Sequence, residues 1–269
     1  MKMLFWNTHR NGNINSYIFE LVEQNEIDIL ILAEYASDND ELSKCLIQSK
    51  KRLYKWNSTG CNRIQIWGNY VDVKPGEQNK YFSIQIINNK YIICGVHMYS
   101  DLNGERFDER ISLAEEIRYA IKNTREELNS NDVIIIGDMN ESPYEKACLS
   151  AKGFHALPAL KMSDKNSRII YEKEYEKMYN PMWNLFGDFE YPPGTYYRTD
   201  SKMCNPCWYM LDQVIISQSM IPFMIKEKLK IIIECRNQPL YTKNGYPNPN
   251  ISDHFPIVCE FNFNKGDRL

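Results

Sequence analysis

Five short polar motifs, far apart along the chain, each lie at the end of an apolar run that is typical of a β-strand. Their polar side chains are Asn7, Glu34, His97, Asp138 with Asn140, and Asp253 with His254. Because strand ends from one sheet can meet in space while remaining distant in sequence, the pattern predicts one polar site at a sheet edge. Carboxylates and amides suit a hard cation, and imidazoles beside them suit general acid–base catalysis. The pattern therefore indicates hydrolysis of a phosphate ester.

Six motifs of the chain resemble, in the same order, those of the endonuclease/exonuclease/phosphatase superfamily, which has the deoxyribonuclease-I-like fold. They are Trp6–Asn7, Ala33–Glu34, Gly95–His97, Gly137–Asn140, Leu211–Ser217 and Ser252–Ile257. Any one motif is weak, but six in order, each beside a hydrophobic run, form a specific signal. The resemblance implies an α+β fold, a four-layer α/β/β/α sandwich with two packed mixed β-sheets flanked by helices. No linker or repeat divides the sequence, so we expect one domain over residues 1–269.

Hydrophobic periodicity predicts the regular elements. Strands are expected at Met3–Trp6, Asp28–Ala33, Ile64–Trp67, Tyr70–Val73, Tyr81–Ile87, Tyr91–His97, Val133–Ile136, Trp208–Ser217 and Phe255–Phe263. Where apolar residues recur at helical spacing, helices are expected at Asn15–Gln24 and Glu109–Leu128. Residues 155–206 have no regular period, which predicts loops and short helices over the mouth of the site.

Composition excludes some classes of protein. The chain has 269 residues, 43% of them hydrophobic and 25% charged, with a formal net charge of -3. This charge excludes a strongly basic nucleic-acid-binding protein, although a local basic patch can still meet a phosphate chain. No apolar run approaches the ~18 residues of a transmembrane helix. Removal of a signal peptide would remove Asn7, so we expect a cytoplasmic protein whose cysteines stay reduced.

The resemblance implies a site for Mg²⁺ or Mn²⁺. Glu34 is the first candidate ligand, and Asp253 is the second, directly or through water. Mg²⁺ binds few carboxylates and keeps several waters, so one or two acidic ligands suffice. Asn7 would complete the metal site, and both Asn7 and Asn140 can donate to a phosphate oxygen without adding repulsive charge.

The same resemblance implies roles for the acid–base groups. Asp138 would orient or deprotonate the attacking water. His254 would polarise or deprotonate it from the other side, or stabilise charge on the phosphate, and Asp212 would fix the tautomer of His254. His97 would protonate the leaving oxygen or bind the phosphate. Members of the family differ over which histidine is the acid, so both assignments stay open.

Substrate contacts are predicted from residues outside the motifs. Arg106 and Arg110 are four residues apart near a predicted helix start, so they can share a face towards a phosphate chain. In the irregular segment, Tyr197 can stack on a base and Arg198 can meet a phosphate. The lone pair Cys204–Cys207 lacks the further ligands that zinc requires.

We expect a divalent-metal-dependent phosphodiester hydrolase, and the residues favour a nuclease that cleaves DNA or RNA. Two alternatives stay open: a phosphatase or phosphodiesterase acting on a nucleotide, inositol phosphate or phospholipid headgroup, and a catalytically inactive binding module. A basic groove beside the site would favour a nucleic-acid polymer, whereas a closed pocket formed by residues 180–208 would favour a small molecule. No membrane contact is expected, and the oligomeric state stays open.

Overall fold

The computed structural model describes residues 1–101, 106–160, 166–199 and 205–263. The α-helices in this part of the chain are α1 (Asn15–Asn25), α2 (Asn39–Gln48), α3 (Phe107–Leu128) and α4 (Lys146–Leu149). Short 3-10 helices cover Pro181–Leu185, Gln218–Phe223 and Lys226–Lys228. No helix among these residues is both long and apolar enough to cross a membrane.

The strands form two large mixed sheets and three short pairs. In chain order they are β1 (Lys2–Asn7), β2 (Ile29–Ala33), β3 (Tyr54–Lys55), β4 (Ile64–Gly68), β5 (Val73–Asn79), β6 (Phe82–Ile87), β7 (Tyr91–His97), β8 (Val133–Asp138), β9 (Ala156–Leu157), β10 (Ser167–Ile170), β11 (Lys173–Glu176), β12 (Met178–Tyr179), β13 (Tyr196–Tyr197), β14 (Trp208–Tyr209), β15 (Asp212–Ile216), β16 (Lys230–Ile231), β17 (Glu234–Cys235), β18 (Gln238–Pro239) and β19 (Ile257–Glu260). One sheet has the order β16-β19-β1-β2-β4-β3, and the other has the order β5-β6-β7-β8-β15-β12-β9. The pairs are β10–β11, β13–β14 and β17–β18.

Three apolar clusters hold four layers together. Between the sheets, Phe5 and Ile31 of the six-stranded sheet belong to the same cluster as Ile93 and Ile136 of the seven-stranded sheet. Helices α1 and α2 cover the outer face of the six-stranded sheet, and α3 and α4 cover the outer face of the other. The predicted four-layer α/β/β/α sandwich is therefore confirmed.

Side-chain alternation along the strands decides which residues reach the site. In β8, Ile134 and Ile136 face the other sheet, while Val133 and Ile135 face the outer helices. Asp138 continues the inner row because successive side chains point to opposite faces of a strand. By the same two-residue period, the inner rows of β1 and β7 end at Asn7 and His97. The inner row of β15 begins at Asp212.

Most predicted elements are confirmed, with ends that shift by a few residues. The predicted strand Tyr70–Val73 is wrong, because the chain bends there and enters β5 only at Val73. The predicted strand Trp208–Ser217 is divided, because β14 pairs with β13 whereas β15 pairs with β8. Helix α2 was not predicted, although it has an N-cap signal: the Asp38 side chain accepts hydrogen bonds from two backbone N–H groups of the first turn.

Strand β5 is the open edge of the seven-stranded sheet. Apolar periodicity missed it because Lys74, Pro75, Gly76 and Glu77 interrupt any alternation. Its register with β6 shifts between Pro75 and Gln78, as at a β-bulge. Proline has no backbone N–H to donate. A strand that contains it therefore suits the edge of a sheet, where one side of the strand has no neighbour.

Gly137 lies in β8 where no side chain fits. A Cβ atom there would collide with the carbonyl oxygen of Val96. We expect Gly137→Ala to lower the free energy of unfolding by about 1–3 kcal/mol or more, the range for overpacking a core. Urea denaturation followed by circular dichroism measures this. Gly12→Ala is the control, since no heavy atom lies within 4 Å of its added Cβ. Equal losses in both variants would contradict the steric argument.

Candidate active site

Two buried carboxylates face each other at the centre of the site. Asp138 and Asp212 are opposite one another across the antiparallel pair β8–β15. Asp138 Oδ2 accepts a hydrogen bond of 2.9 Å from Nδ2 of Asn7, and Asp138 Oδ1 accepts one of 2.8 Å from the backbone N–H of Asn140. Burial raises the pKa of Asp138, and the charge of His254 only partly opposes this shift. Asp138 therefore accepts a proton more readily than an exposed aspartate does.

His254 is oriented by the second carboxylate. Its Nδ1 lies 2.8 Å from Oδ2 of Asp212, which fixes the proton on Nδ1 and leaves Nε2 for the substrate. Trp6 Nε1 donates to the backbone carbonyl of His254 at 2.9 Å and holds the loop before β19. Burial disfavours the imidazolium, but the charges of Asp212 and Asp138 outweigh it, so the pKa of His254 is raised well above its usual value.

The pKa of His97 is shifted in the opposite direction from that of His254. Nε2 of His97 lies 3.4 Å from Oε1 of Glu34 and 3.7 Å from Oδ2 of Asp138. Burial lowers the pKa of His97 to about 4, although the charge of Asp138 acts in the other direction. At neutral pH the ring is therefore uncharged. A proton on Nε2 would point towards the carboxylates of Glu34 and Asp138. This favours hydrogen bonding to a phosphate over the alternative role of proton donor.

Glu34 and Asp253 form the more open part of the site. Glu34 follows β2 with a φ of 49°, and this left-handed backbone turns its side chain away from the alternation of the strand. The side chains of Glu34 and Asp253 are 22% and 29% exposed, so solvent reaches both. Arg10 Nε lies 3.4 Å from Oε2 of Glu34, and His9 Nδ1 lies 3.1 Å from Oδ1 of Asp253. The partly exposed carboxylate oxygens of these two residues are the kind of ligand that suits a hard divalent cation.

Another group of donors in the described part of the chain could also hold a metal ion. Ligand atoms of Asp138, Asp212 and His254 all lie within 4.8 Å of one another. However, Asp212 and His254 already bind each other, and all three side chains are buried. We therefore favour Glu34 and Asp253 as the ligands, because a hydrated ion can reach them without breaking a buried hydrogen bond.

The predicted substrate residues have mixed outcomes. Arg110 is completely buried, and it binds Glu141 at 2.8 Å and Asp101 at 2.7 Å. The prediction that Arg110 faces a phosphate chain is therefore wrong, because its guanidinium points into the protein. Arg106 remains partly exposed at the start of α3. Of the cysteine pair, Cys207 is exposed and Cys204 lies outside the described residues.

The irregular segment brings aromatic rings to His254. Tyr196 lies with its ring centroid 4.8 Å from that of His254. Tyr197 stacks on Tyr246 at 3.9 Å, and the guanidinium of Arg198 lies 5.6 Å from the Tyr196 ring. The sequence signal for Tyr196 was its place beside Tyr197, but only the β-bridge between Tyr196 and His254 shows which of the two tyrosines meets the histidine.

A large pocket lies elsewhere. It has a volume of about 790 Å³ and lies between α3 and the β10–β11 hairpin, on the outer side of the seven-stranded sheet. None of the predicted site residues lines it. Size alone would therefore point away from the carboxylates and histidines, whose chemistry defines the better candidate for the active site.

Solved structures share this fold despite low sequence identity. A 3'-5' exonuclease, NExo, from Neisseria meningitidis superposes with a TM-score of 0.58 at 15% identity, covering 98% of this chain and 100% of that chain. An AP endonuclease from Archaeoglobus fulgidus gives 0.59 at 12% identity, covering 98% and 100%. TDP2 of D. rerio, in complex with a single-strand DNA product, gives 0.57 at 15% identity, covering 98% and 99%. By sequence, the chain matches no protein-family model and no curated protein.

The chain thus has the fold of the endonuclease/exonuclease/phosphatase superfamily, and the resemblance drawn from six motifs is confirmed at that level. The superposition extends over nearly the whole of this chain and of each of these structures.

We expect Asp212→Asn to lower the pKa of His254 in the metal-free protein, because a carboxylate that holds the proton on the ring is lost. The raised folded-state pKa contributes stability that is present below the unfolded value of about 6.5 and is lost as pH rises through the folded value. The variant should therefore lose more stability at pH 6 than at high pH. NMR titration of the histidine rings measures the shift, with buried His155 as an internal control. An unchanged His254 titration would contradict the pairing.

Proposed function

We propose that the chain is a divalent-metal-dependent phosphodiester hydrolase, and specifically a nuclease. The observation that carries the proposal is the cluster of Asp138, Asp212 and His254, in which the two carboxylates face each other across β8 and β15 and Asp212 holds the His254 ring. A phosphodiester resists hydrolysis because its charge repels a nucleophile and its alkoxide is a poor leaving group. In the cluster, Asp138 can activate the attacking water, and His254 can offset charge on the phosphate.

Each side chain has a role that its contacts support. Asp138, held by Asn7 and Asn140, is positioned to accept a proton from the attacking water. His254 would donate from Nε2 to a phosphate oxygen, with Asp212 holding its tautomer. Neutral His97 would bind a phosphate oxygen through Nε2, beside Glu34.

We propose Glu34 and Asp253 as the residues that hold Mg²⁺ or Mn²⁺, with Asn7 nearby. A bound divalent cation would offset the phosphate charge and stabilise the leaving oxygen. Oxygen donors suit these ions rather than soft metals. Arg10 and His9 would move from the carboxylates towards the phosphate when the ion binds.

The nuclease assignment rests on the surroundings of the site. TDP2 of D. rerio is complexed with a single-strand DNA product, and a mutant form of NExo, a 3' phosphatase from Neisseria with a TM-score of 0.56, is bound to a product DNA hairpin. In this chain the aromatic hairpin beside His254 supports contact with a base or sugar, with Tyr197 and Arg198 as substrate-binding residues. A local cationic surface, described below, supports a polymeric substrate.

We also propose that the chain is a single cytoplasmic domain. The central cluster that draws on both sheets supports one folding unit. The cysteines of the described residues are free, which supports a reducing compartment.

Removal of the metal should abolish hydrolysis of a single-stranded oligonucleotide, and Mg²⁺ or Mn²⁺ should restore it. Glu34→Gln should weaken binding of Mn²⁺ by calorimetry, which reports on the ligand independently of turnover. Asp40→Asn, at the exposed first turn of α2, is the matched control and should bind Mn²⁺ as the parent does. Full turnover in excess EDTA would overturn the metal dependence.

Asp138→Asn and His254→Ala should each lower the hydrolysis rate by ~100-fold or more, the scale for a general acid–base group. The chemistry needs Asp138 to accept a proton and His254 to hold one, and neither variant can. Steady-state rates on an oligonucleotide measure the effect, and circular dichroism checks the fold. Near-parent rates in two folded variants would mean that the reacting groups lie elsewhere.

A further inference from the structure

A stack of cationic and aromatic side chains extends from one wall of the site. The guanidinium of Arg63 lies 4.6 Å from the ring of Tyr81, whose centroid lies 4.2 Å from that of Tyr99. The guanidinium of Arg106 lies 5.4 Å from the ring of Tyr99. We call Arg63, Tyr81, Tyr99 and Arg106 the Arg–Tyr ledge. All four side chains are partly exposed, and exposed Lys80 lies 5.6 Å from the Tyr81 ring.

The ledge is attached to the catalytic residues. The backbone N–H of His97 donates to the carbonyl of Tyr81 at 2.8 Å, and Tyr99 follows His97 by two residues. The charge of Arg63 also acts on the ring of His97. The ledge therefore begins beside the groups that would bind a phosphate and leads away from them towards the start of α3.

Among the residues that the structure describes, the cations of the ledge have no salt-bridge partner. The Asp101 side chain binds buried Arg110, and Asp108 and Glu109 are exposed in the first turn of α3. Within the described ranges, no acidic side chain forms a salt bridge with Arg63, Lys80 or Arg106, and Glu109 is the carboxylate whose charge reaches Tyr99. Three cations thus remain on one surface of a chain whose formal net charge is -3.

We propose that the Arg–Tyr ledge binds the sugar-phosphate backbone of a nucleic-acid strand whose reacting phosphate lies at Asp138 and His254. The proposal rests on the nuclease function and adds to it the path of the strand beyond the cleavage site. Because the ledge runs through four side chains in series, from Arg63 to Arg106, it suits a strand of linked phosphates.

The chemistry of the ledge favours phosphates over bases. The two rings already contact each other and the two guanidinium groups, so the ledge offers N–H donors rather than free aromatic faces. Planar guanidinium groups that stack on rings keep their edges for phosphate oxygens, and little side-chain freedom is lost when they bind. Contacts of this type position a strand without reading its sequence.

Fluorescence anisotropy of a labelled single-stranded oligonucleotide of about 12 nucleotides tests the proposal over a range of salt concentrations. The Asp138→Asn protein with Mg²⁺ is the reference, because its slow turnover leaves the oligonucleotide intact. Adding Arg63→Gln and Arg106→Gln should weaken binding roughly 10-fold near 0.1 M salt. The slope of log K against log salt should fall by about 1.4, since each phosphate contact of a single strand contributes about 0.7.

The matched control is the Asp138→Asn protein with Arg52→Gln and Lys122→Gln, which removes the same two charges from exposed positions. Lys122 lies about 24 Å from Arg106 along α3, from the 1.5 Å rise per residue. The control should bind as the reference does. Equal losses in the ledge and control variants would show that only net charge matters and would overturn the proposal, as would the absence of any binding at low salt.

Two further measurements distinguish failure of this proposal from failure of the proposed nuclease function. If the parent fails to hydrolyse bis-para-nitrophenyl phosphate and oligonucleotides, the proposed function fails while the binding result still decides the ledge. If the ledge variant loses affinity for a poly-glutamate peptide but keeps its affinity for the oligonucleotide, the ledge binds an acidic protein and the proposal is overturned.

Discussion

The site depends on two carboxylates that the strand register forces together inside the protein. Asp138 and Asp212 are directly opposite in β8 and β15, and neither reaches solvent. Two buried like charges are costly unless hydrogen bonds and a counter-charge compensate them. Asn7 and the Asn140 backbone serve Asp138, and His254 supplies the positive charge. The asymmetry between a charged His254 and a neutral His97 follows from this arrangement, since Asp212 lies 2.8 Å from His254, whereas the carboxylate oxygens beside His97 lie 3.4 and 3.7 Å away.

The sequence predicts the catalytic core because strand geometry is regular. Once β1, β7 and β8 are recognised as apolar runs, a two-residue period places Asn7, His97 and Asp138 at the ends of rows that face the other sheet. Glu34 breaks this period, and its left-handed φ is what redirects the side chain. A residue in that conformation cannot be placed by counting along a strand, although its motif identified it.

The remaining errors arise where tertiary contacts override local pattern. Arg110 lies three and four residues before Leu113 and Ala114, on the buried face of α3, and its charge is compensated there by Glu141 and Asp101. Both partners lie in other segments, so helical spacing alone could not reveal them. Nothing in the sequence distinguishes Tyr196 from Tyr197, and the contact of Tyr196 with His254 comes from a β-bridge that pairs these two residues. Such residues are set by long-range pairing rather than by periodicity.

The irregular strand β5 has a consequence for how copies of the chain meet. An exposed edge with a complete row of backbone donors and acceptors is a template on which another chain can add a strand. In β5, Pro75 removes one donor, the bulge interrupts the spacing of the others, and Lys74 and Glu77 place charges along the border. This edge of the seven-stranded sheet therefore resists aggregation by strand addition. The residues responsible are the same ones that break the apolar alternation of β5 and that kept the strand from being predicted.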